Sequence, residues 1–206
     1  AGYSIVDDEI CCEASRQEVV RRYFKTACMV RQGLAGKQEL NKLELLMRTL
    51  GVDVNIRRTV PAALAVAEAT GEPATAIELP DGQIVTGKTS SLLGASAAAL
   101  LNALKVMAGI PDELKLISPS VIQPIQHLKV DHMGNRNPRL HTDEVLIALA
   151  ISAATDENAS IAMDQLSELK DCDAHSTVIL SQVDDGMFKK LGVNITCEPD
   201  YQDRNL

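Results

Sequence analysis

The chain has 206 residues, a formal net charge of −8, 23% charged residues and 2% aromatic residues. Nucleic-acid binding depends on Lys and Arg side chains that neutralise phosphates and on aromatic rings that stack on bases, so this balance excludes nucleic acid as a partner. No run of about 18 apolar residues is present, which excludes a membrane-spanning helix. The sequence begins with Ala1, so we expect a processed chain or a piece of a longer protein.

Three amphipathic helices are predicted in the first part of the chain, because apolar residues recur there at helical spacing. The predicted helices cover 7–31, 37–50 and 61–70. Gly51 and Gly71 directly follow the second and third helices, where glycine is the preferred residue for ending a helix. We therefore interpret residues 1–72 as a helical subdomain.

From residue 73 onward the pattern alternates between strands and helices, which predicts an α/β sheet covered on both faces. We interpret residues 73–206 as a three-layer α-β-α sandwich domain. The predicted strands cover 75–79, 83–87, 114–118, 176–182 and 193–199. The predicted helices cover 91–108, 119–129, 143–154 with Thr142 as its N-cap, 158–170 and 184–191.

The stretch "GQIVTGKT" at 82–89 matches the letters of a phosphate-binding loop, Gly-x-x-x-x-Gly-Lys-Thr. Three of its inner residues, Ile84, Val85 and Thr86, are β-branched and favour an extended strand over a loop that wraps an anion. We therefore expect an Asp-Gly hairpin turn followed by a strand, and no phosphate loop of that class.

A different kind of anion site is predicted where this strand ends and the next helix begins. Lys88, Thr89 and Ser90 lie at that junction, where free N–H groups and the positive end of the helix dipole favour an anion. The same Thr and Ser side chains also suit simple capping of the helix. The two interpretations are compatible with each other, and both stay open.

The stretch "NPRLHTDE" places Arg139, His141 and Asp143 at a second junction between a loop and a helix. The helix dipole disfavours the protonated form of His141, so we expect a neutral imidazole there that suits acid–base work. Asp143 and His175 are further catalytic candidates. Asp184 follows the strand that begins near His175, and we interpret it as a helix cap.

Metal ligands are not predicted, because the four histidines show no ligand spacing and the cysteines form no Cys-x-x-Cys pair. The cysteine count is odd, which predicts reduced thiols in the cytoplasm. The cysteines are Cys11, Cys12, Cys28, Cys172 and Cys197.

Four long stretches carry a resemblance to a known family: "GYSIVDDEICCEASRQEVVRRYF", "ELPDGQIVTGKTSSLLGASAAALLNALK", "NPRLHTDEVLIALAISAAT" and "HSTVILSQVDDGMFKKLGVNITCEPDYQ". With them, the chain resembles the C-terminal part of the bacterial family of unknown function DUF1846, also called UPF0371. The resemblance implies a longer protein, whose N-terminal half carries a Gly-Ser-Gly-Lys stretch and is a partner of this region. It implies no cofactor in this chain and a possible nucleotide in the longer protein.

The resemblance also implies a cytidine-deaminase-like topology, in which a hairpin is followed by a helix. Zinc deaminases need a His or Cys and a Glu at the start of that helix, and a later Pro-Cys-x-x-Cys. This sequence has "GASAAALL" at the first place and no such cysteine pair later, so we expect the topology without zinc.

Two hypotheses follow for the function. In the first, the chain is part of an enzyme and holds a phosphorylated or nucleotide ligand, with Lys88, Thr89 and Ser90 on the anion and with Arg139 and His141 approaching from the next loop. In the second, the chain is an assembly module that forms a homo-oligomer through its apolar helix faces, and its polar clusters are caps and solvated surfaces.

Overall fold

The structure, a computed structural model, describes residues 7–202 and has a mixed α/β fold. Within that range the helices are α1 (Asp8–Arg31), α2 (Lys37–Leu50), α3 (Thr59–Thr70), α4 (Ala95–Met107), α5 (Pro119–His127), α6 (Thr142–Ala153), α7 (Glu157–Asp164) and α8 (Gln182–Lys190). The strands are β1 (Ala74–Glu78), β2 (Ile84–Lys88), β3 (Asp173–Ser176) and β4 (Asn194–Cys197). The interpreted domains, 1–72 and 73–206, reach into residues 1–6 and 203–206, which lie outside the described residues.

The four strands form one sheet in the order β2-β1-β3-β4. β1 runs antiparallel to both β2 and β3, whereas β3 and β4 are parallel. Consequently the carboxyl ends of β2, β3 and β4 lie beside the start of β1, at one end of the strands. We call this end the carboxyl edge of the sheet. This edge is where open α/β sheets usually hold their ligands.

The segment that matches the phosphate-loop letters forms the second half of a β-hairpin, as the β-branched residues predict. Residues Ile84–Lys88 are β2, and Gly82 occupies the tight turn with a φ of 81°. The main chain there pairs with β1 from Ala74↔Lys88 to Glu78↔Ile84, so it is an extended strand and does not wrap around an anion. A phosphate loop does not form at 82–89.

Helices α1 and α3 cover one face of the sheet. A small core joins them to α2 through Val20, Phe24, Met47 and Val60. The Phe24 ring lies 4.8 Å from the ring of His175, which is fully buried on β3. The predicted helices are thus confirmed, and α3 packs directly on the sheet.

Helix α4 covers the opposite face and lies unusually close to β2. A Cβ atom added at Gly87 would be 2.1 Å from the backbone N of Ala99, far inside any real contact. Ile77 of β1 and Leu100 of α4 belong to the larger core, to which α6, α7 and α8 also contribute. Both faces of the sheet are therefore covered by helices.

Three element predictions are wrong in their bounds or type. Residues 114–118 form an irregular loop and no strand, although Leu116 and Ile117 are buried. An apolar run marks burial and does not by itself supply a pairing partner. The strand predicted at 176–182 is Asp173–Ser176, since pairing with β1 ends at Ser176. The helix predicted from 91 begins at Ala95.

Among the described residues, no helix combines the length and the apolar character that crossing a membrane requires.

Candidate functional site

A cavity of about 230 Å³ lies at the sheet edge where β2, β3 and β4 end. Three segments of the chain supply most of its lining: the first residues of α4, the loop that leads into α6, and the segment between β3 and α8. The lining residues that carry chemistry are Thr89, Ser96, Asn137, Arg139, His141, Ser176, Ser181, Asp184 and Tyr201. The edge is the one that the parallel pair of strands predicts for a ligand.

The N-terminus of α4 opens into this cavity. Gly94 is its N-cap residue, and no side chain caps the helix by a hydrogen bond. Because the first turn of a helix has no intrahelical acceptors for its N–H groups, those of Ala95 and Ser96 are free donors at the cavity. The 13-residue helix adds the positive end of its dipole to the same place.

The loop that carries Arg139 and His141 is fixed to the turn before α4. Leu140 donates its N–H to Leu92 O at 2.9 Å and accepts from Gly94 N at 3.2 Å. The Arg139 Nε donates to Ser90 O at 2.7 Å. The described residues supply no partner for the other two guanidinium nitrogens of Arg139, which remain available at the cavity.

Lys129 holds the same loop from its other side. Its side chain is 4% exposed, and its Nζ donates to Arg139 O at 2.6 Å and to the Glu144 carboxylate at 2.7 Å. Glu144 in turn accepts from the His141 backbone N at 2.8 Å, which caps the start of α6. His141, and not Thr142, is therefore the N-cap residue of α6.

His141 and Asp184 form a hydrogen-bonded pair across the two helix starts. The His141 Nδ1 lies 2.9 Å from Asp184 Oδ2, which also accepts from Ser181 Oγ at 2.8 Å. The other carboxylate oxygen accepts from the backbone N and the hydroxyl of Thr142, each at 2.9 Å. With Nδ1 held in this way, the Nε2 of His141 is the nitrogen left to act on a ligand.

The electrostatics of this pair correct two sequence expectations. The hydrogen bond to the Asp184 carboxylate raises the pKa of His141 and outweighs the effect of burial. The imidazole is therefore easier to protonate, whereas the helix dipole alone predicts the reverse. Burial opposes ionisation of Asp184, but hydrogen bonds from His141, Thr142 and Ser181 prevail and lower its pKa to about 2. Asp184 does not cap α8, because Ser181 does, and its carboxylate serves α6.

Three hydroxyl side chains, each more than nine-tenths buried, line the same cavity: Thr89, Ser96 and Ser176. Ser96 Oγ is 3.4 Å from Thr75 Oγ1, and Ser176 Oγ accepts from Val178 N at 3.3 Å. The Thr89 hydroxyl has no hydrogen-bond partner among residues 7–202. Its oxygen is not sealed off from the cavity, so a bound ligand can reach it as a hydrogen-bond donor or acceptor.

The structure brings together three of the sequence-predicted site residues and separates four others. Thr89, Arg139 and His141 share the cavity. The residues outside its lining are Lys88, Ser90, Asp143 and His175. Lys88 is exposed at the end of β2. The Ser90 hydroxyl accepts from Leu92 N and Leu93 N, which supports the capping interpretation for that residue.

The remaining two candidates serve local structure. Asp143 accepts from the backbone N of Glu144 at 2.8 Å in the first turn of α6. His175 is fully buried under α1, with Nδ1 at 2.9 Å from Thr196 Oγ1 and Nε2 at 3.2 Å from Glu198 Oε1. Burial lowers the pKa of His175, which favours a neutral ring.

A larger open groove of about 590 Å³ lies at the opposite edge of the sheet. Its two arginines are already engaged: Arg57 with Asp173 at 3.2 Å and Arg58 with Glu78 at 2.6 Å. The smaller cavity offers an unpaired guanidinium edge and a free imidazole nitrogen, so we place the candidate site there. Within the described residues, no group of three or more His, Cys, Asp or Glu could hold a metal ion.

Fold and cavity together define an α/β protein with a polar, cation-lined cavity at the carboxyl edge of a mixed sheet. Residues 55–206 match the C-terminal domain model of the family DUF1846, a domain of unknown function, and residues 1–51 match its N-terminal domain model. The chain belongs to the DUF1846 family, as the sequence resemblance implies, and the match includes the N-terminal domain model as well as the C-terminal one.

Bacterial relatives of this family carry the name UPF0371. One from Corynebacterium efficiens is 54% identical over 205 residues, which cover 100% of this chain and 41% of the relative. One from Streptococcus thermophilus is 52% identical over 201 residues, covering 98% of this chain and 41% of the relative. The chain thus spans about two fifths of the length of these relatives.

Proposed function

We propose that the cavity binds the phosphoryl group of an anionic small-molecule ligand. The observation that supports this proposal is convergence: Ala95 and Ser96 with their free N–H groups, Arg139 and His141 all line one cavity. Helix N-termini combined with a cationic side chain are common binding sites for phosphate oxygens.

The charge around the cavity favours an anion locally, although the whole chain has a net charge of −8. Asp184 is the acidic residue in the lining, and its two oxygens are already satisfied by Thr142, His141 and Ser181. A protonated His141 forms an ion pair with it, so Arg139 and the helix dipole supply the remaining positive field.

The proposal is tested by titrating the chain with inorganic phosphate and following binding by calorimetry. We expect the variants Arg139→Met and His141→Gln to weaken binding about tenfold or more each, the range expected for a lost hydrogen bond to a charged group. Arg136 and His132 are exposed, lie a few residues before Arg139 and His141 in the chain and do not line the cavity, so Arg136→Met and His132→Gln are matched controls.

Equal affinity of the Arg139→Met and Arg136→Met variants would contradict the proposal. The variant Lys88→Ala separates this cavity from the anion site expected at the end of β2. We expect it to retain the wild-type affinity, since Lys88 does not line the cavity. A selective loss in Lys88→Ala would move the anion site to that junction.

A second proposal is self-association into a homo-oligomer, which one specific surface favours. The apolar stripes that motivate this hypothesis in the sequence, on α1 and on α4, are largely buried within the chain. On α6, however, Ile147 and Ile151 lie one turn apart and are 60% and 56% exposed. An apolar helix face of this kind suits packing against a second copy.

Sedimentation at several protein concentrations tests this second proposal. We expect the double variant Ile147→Glu, Ile151→Glu to shift a dimer to monomer, because it places charges in an interface that excludes water. Leu45→Glu on α2, at a position that is 65% exposed, is the control. A wild-type chain that stays monomeric at every concentration would remove the proposal.

We retain three finer interpretations as proposals. The first is the cytidine-deaminase-like topology. It is supported by the hairpin β1–β2, which is followed by α4; α4 packs on one face of the hairpin and the preceding α3 packs on the other. The second is a cytoplasmic location, supported by the free thiols Cys28 and Cys197, whose burial raises their pKa to about 11 and about 12 and keeps them protonated. The third is a nucleotide, and a partnership with the N-terminal half, in the longer relatives.

A further inference from the structure

We infer that the ligand of this cavity is a phosphomonoester of a short, uncharged carbon chain, and that the cavity does not take a nucleotide. The inference rests on the proposed function and specifies its ligand class. It is carried by the size of the cavity, by the partnerless Thr89 hydroxyl on its wall, and by the apolar residues that line the rest.

The volume sets the upper limit. The cavity measures about 230 Å³. Sites that enclose larger ligands usually measure about 300–1,000 Å³, so the walls of this cavity do not enclose a base and a ribose beside the phosphate.

Different segments of the chain supply the polar and the apolar parts of the lining. The phosphoryl group is placed against the α4 N-terminus, where the free N–H groups of Ala95 and Ser96 and the buried Thr89 hydroxyl supply donors. A helix N-terminus alone is not a ligand site. The Thr89 residue is 3% exposed and lines the cavity with a hydroxyl that no described residue bonds, which is a second indication of a polar occupant.

The segment after β3 lines the cavity with aliphatic residues: Val178, Ile179 and Leu180. A short carbon chain next to the phosphoryl group gains free energy from this wall, about fourfold in affinity for each CH₂ group that it buries. The wall supplies no flat surface on which a base stacks.

The mouth of the cavity offers few groups that could bind the base of a nucleotide. Tyr201 is the aromatic residue in the lining, and the guanidinium of Arg31 lies over its ring at 5.6 Å from the centroid. One face of this ring is therefore occupied by a cation. Base stacking normally contributes strongly to binding of single nucleotides and strands, and it is weakened here.

The inference is tested by calorimetry on the whole chain with three probes: inorganic phosphate, glycerol 3-phosphate and adenosine monophosphate. We expect glycerol 3-phosphate to bind at least about fourfold tighter than inorganic phosphate. We expect adenosine monophosphate to bind no tighter than inorganic phosphate, since its base and ribose stay outside the cavity. Arg139→Met is expected to weaken all three, and Arg136→Met is expected to leave all three unchanged.

A Thr89→Val variant probes the partnerless hydroxyl with little change in volume. We expect it to fold as the wild type does, verified by circular dichroism, and to weaken binding of both small phosphates by a similar factor.

The possible results separate the two claims. If adenosine monophosphate binds tightest and its affinity depends on Arg139, the proposed function stands and the inference about the ligand class is overturned. If glycerol 3-phosphate binds no tighter than inorganic phosphate, the inference is likewise overturned. If none of the probes binds, both the proposed function and the inference are overturned.

Discussion

At the scale of single residues, the His141–Asp184 pair links stability to pH with a definite sign. The folded-state pKa of His141 is raised above its usual value, so its stabilising contribution is complete below that usual value and is lost as the pH rises through the folded pKa. The pKa of Asp184 is lowered to about 2, so its contribution is present above the usual value for Asp and is lost as the pH falls toward 2. The pair therefore stabilises the fold most in mildly acidic solution.

This sign gives a measurable prediction for His141→Gln. We expect the difference in melting temperature between wild type and variant to be larger at about pH 5.5 than at about pH 8.5. Thermal unfolding followed by circular dichroism at both values measures it. His132→Gln is the control, with an expected difference that is small at both. A wild-type advantage that grows with rising pH would contradict the assigned pair.

The sequence identifies three residues of this site. Arg139 and His141 are recognisable because they precede a helix start within one short polar stretch, and Thr89 because it follows a strand. Ser96 and Ser176 are missed, since one lies in an Ala-rich helix and the other at the end of a strand whose bounds are predicted too late. No local pattern places Asp184 opposite His141, because that contact depends on how α6 and α8 pack.

At the scale of elements, the close approach of α4 to β2 determines where the free helix N-terminus lies. The backbone of Ala99 fills the space in which a side chain at Gly87 would stand. Asn102 of α4 donates from Nδ2 to Thr86 O at 2.9 Å and fixes the helix along the strand. Gly87 thus explains why the second glycine of "GQIVTGKT" is needed, although no phosphate loop forms.

The variant Gly87→Ala tests this packing. We expect it to lower the free energy of unfolding by about 3 kcal/mol or more, since an added methyl group meets backbone that cannot give way. Gly186→Ala is the matched control: nothing lies within 4 Å of its added Cβ, so we expect it to stabilise α8 by about 0.5–1 kcal/mol. Urea unfolding measures both. Similar small effects of the two variants would contradict the close approach.

The elements themselves are largely predictable, and the two errors in the predicted strands have one physical cause. Hydrophobic spacing identifies helices α1, α2 and α3, and turn residues identify the hairpin. At 114–118 and 176–182, apolar residues are buried or line the cavity without pairing as strands. Spacing measures burial, whereas a strand also needs a partner, which the tertiary structure alone supplies.

At the scale of the whole molecule, Arg57 joins the N-terminal helices to the sheet. Its side chain is fully buried, and Nη1 bonds to Asp173 at 3.2 Å. Its Nη2 donates to the backbone oxygens of Ala174 at 3.2 Å and Asn194 at 2.8 Å, at the starts of the two parallel strands. The helical part and the sheet are therefore expected to unfold together.

Arg57→Met and Arg58→Met test this link at adjacent positions. We expect the first to cost about 3 kcal/mol of unfolding free energy, because it leaves two strand carbonyls and a carboxylate without their buried partner. Arg58 makes an ion pair on the surface with Glu78, so we expect its loss to cost less than about 1 kcal/mol. Comparable costs at the two positions in a urea titration would contradict the proposed role of Arg57.

The phosphoryl site at the carboxyl edge of the sheet is tested most directly by a crystal structure of the chain in the presence of phosphate. We expect a phosphate with oxygens about 3 Å from Ser96 N, from the Arg139 guanidinium and from His141 Nε2. A phosphate bound instead beside Lys88, with only water at the start of α4, would contradict it.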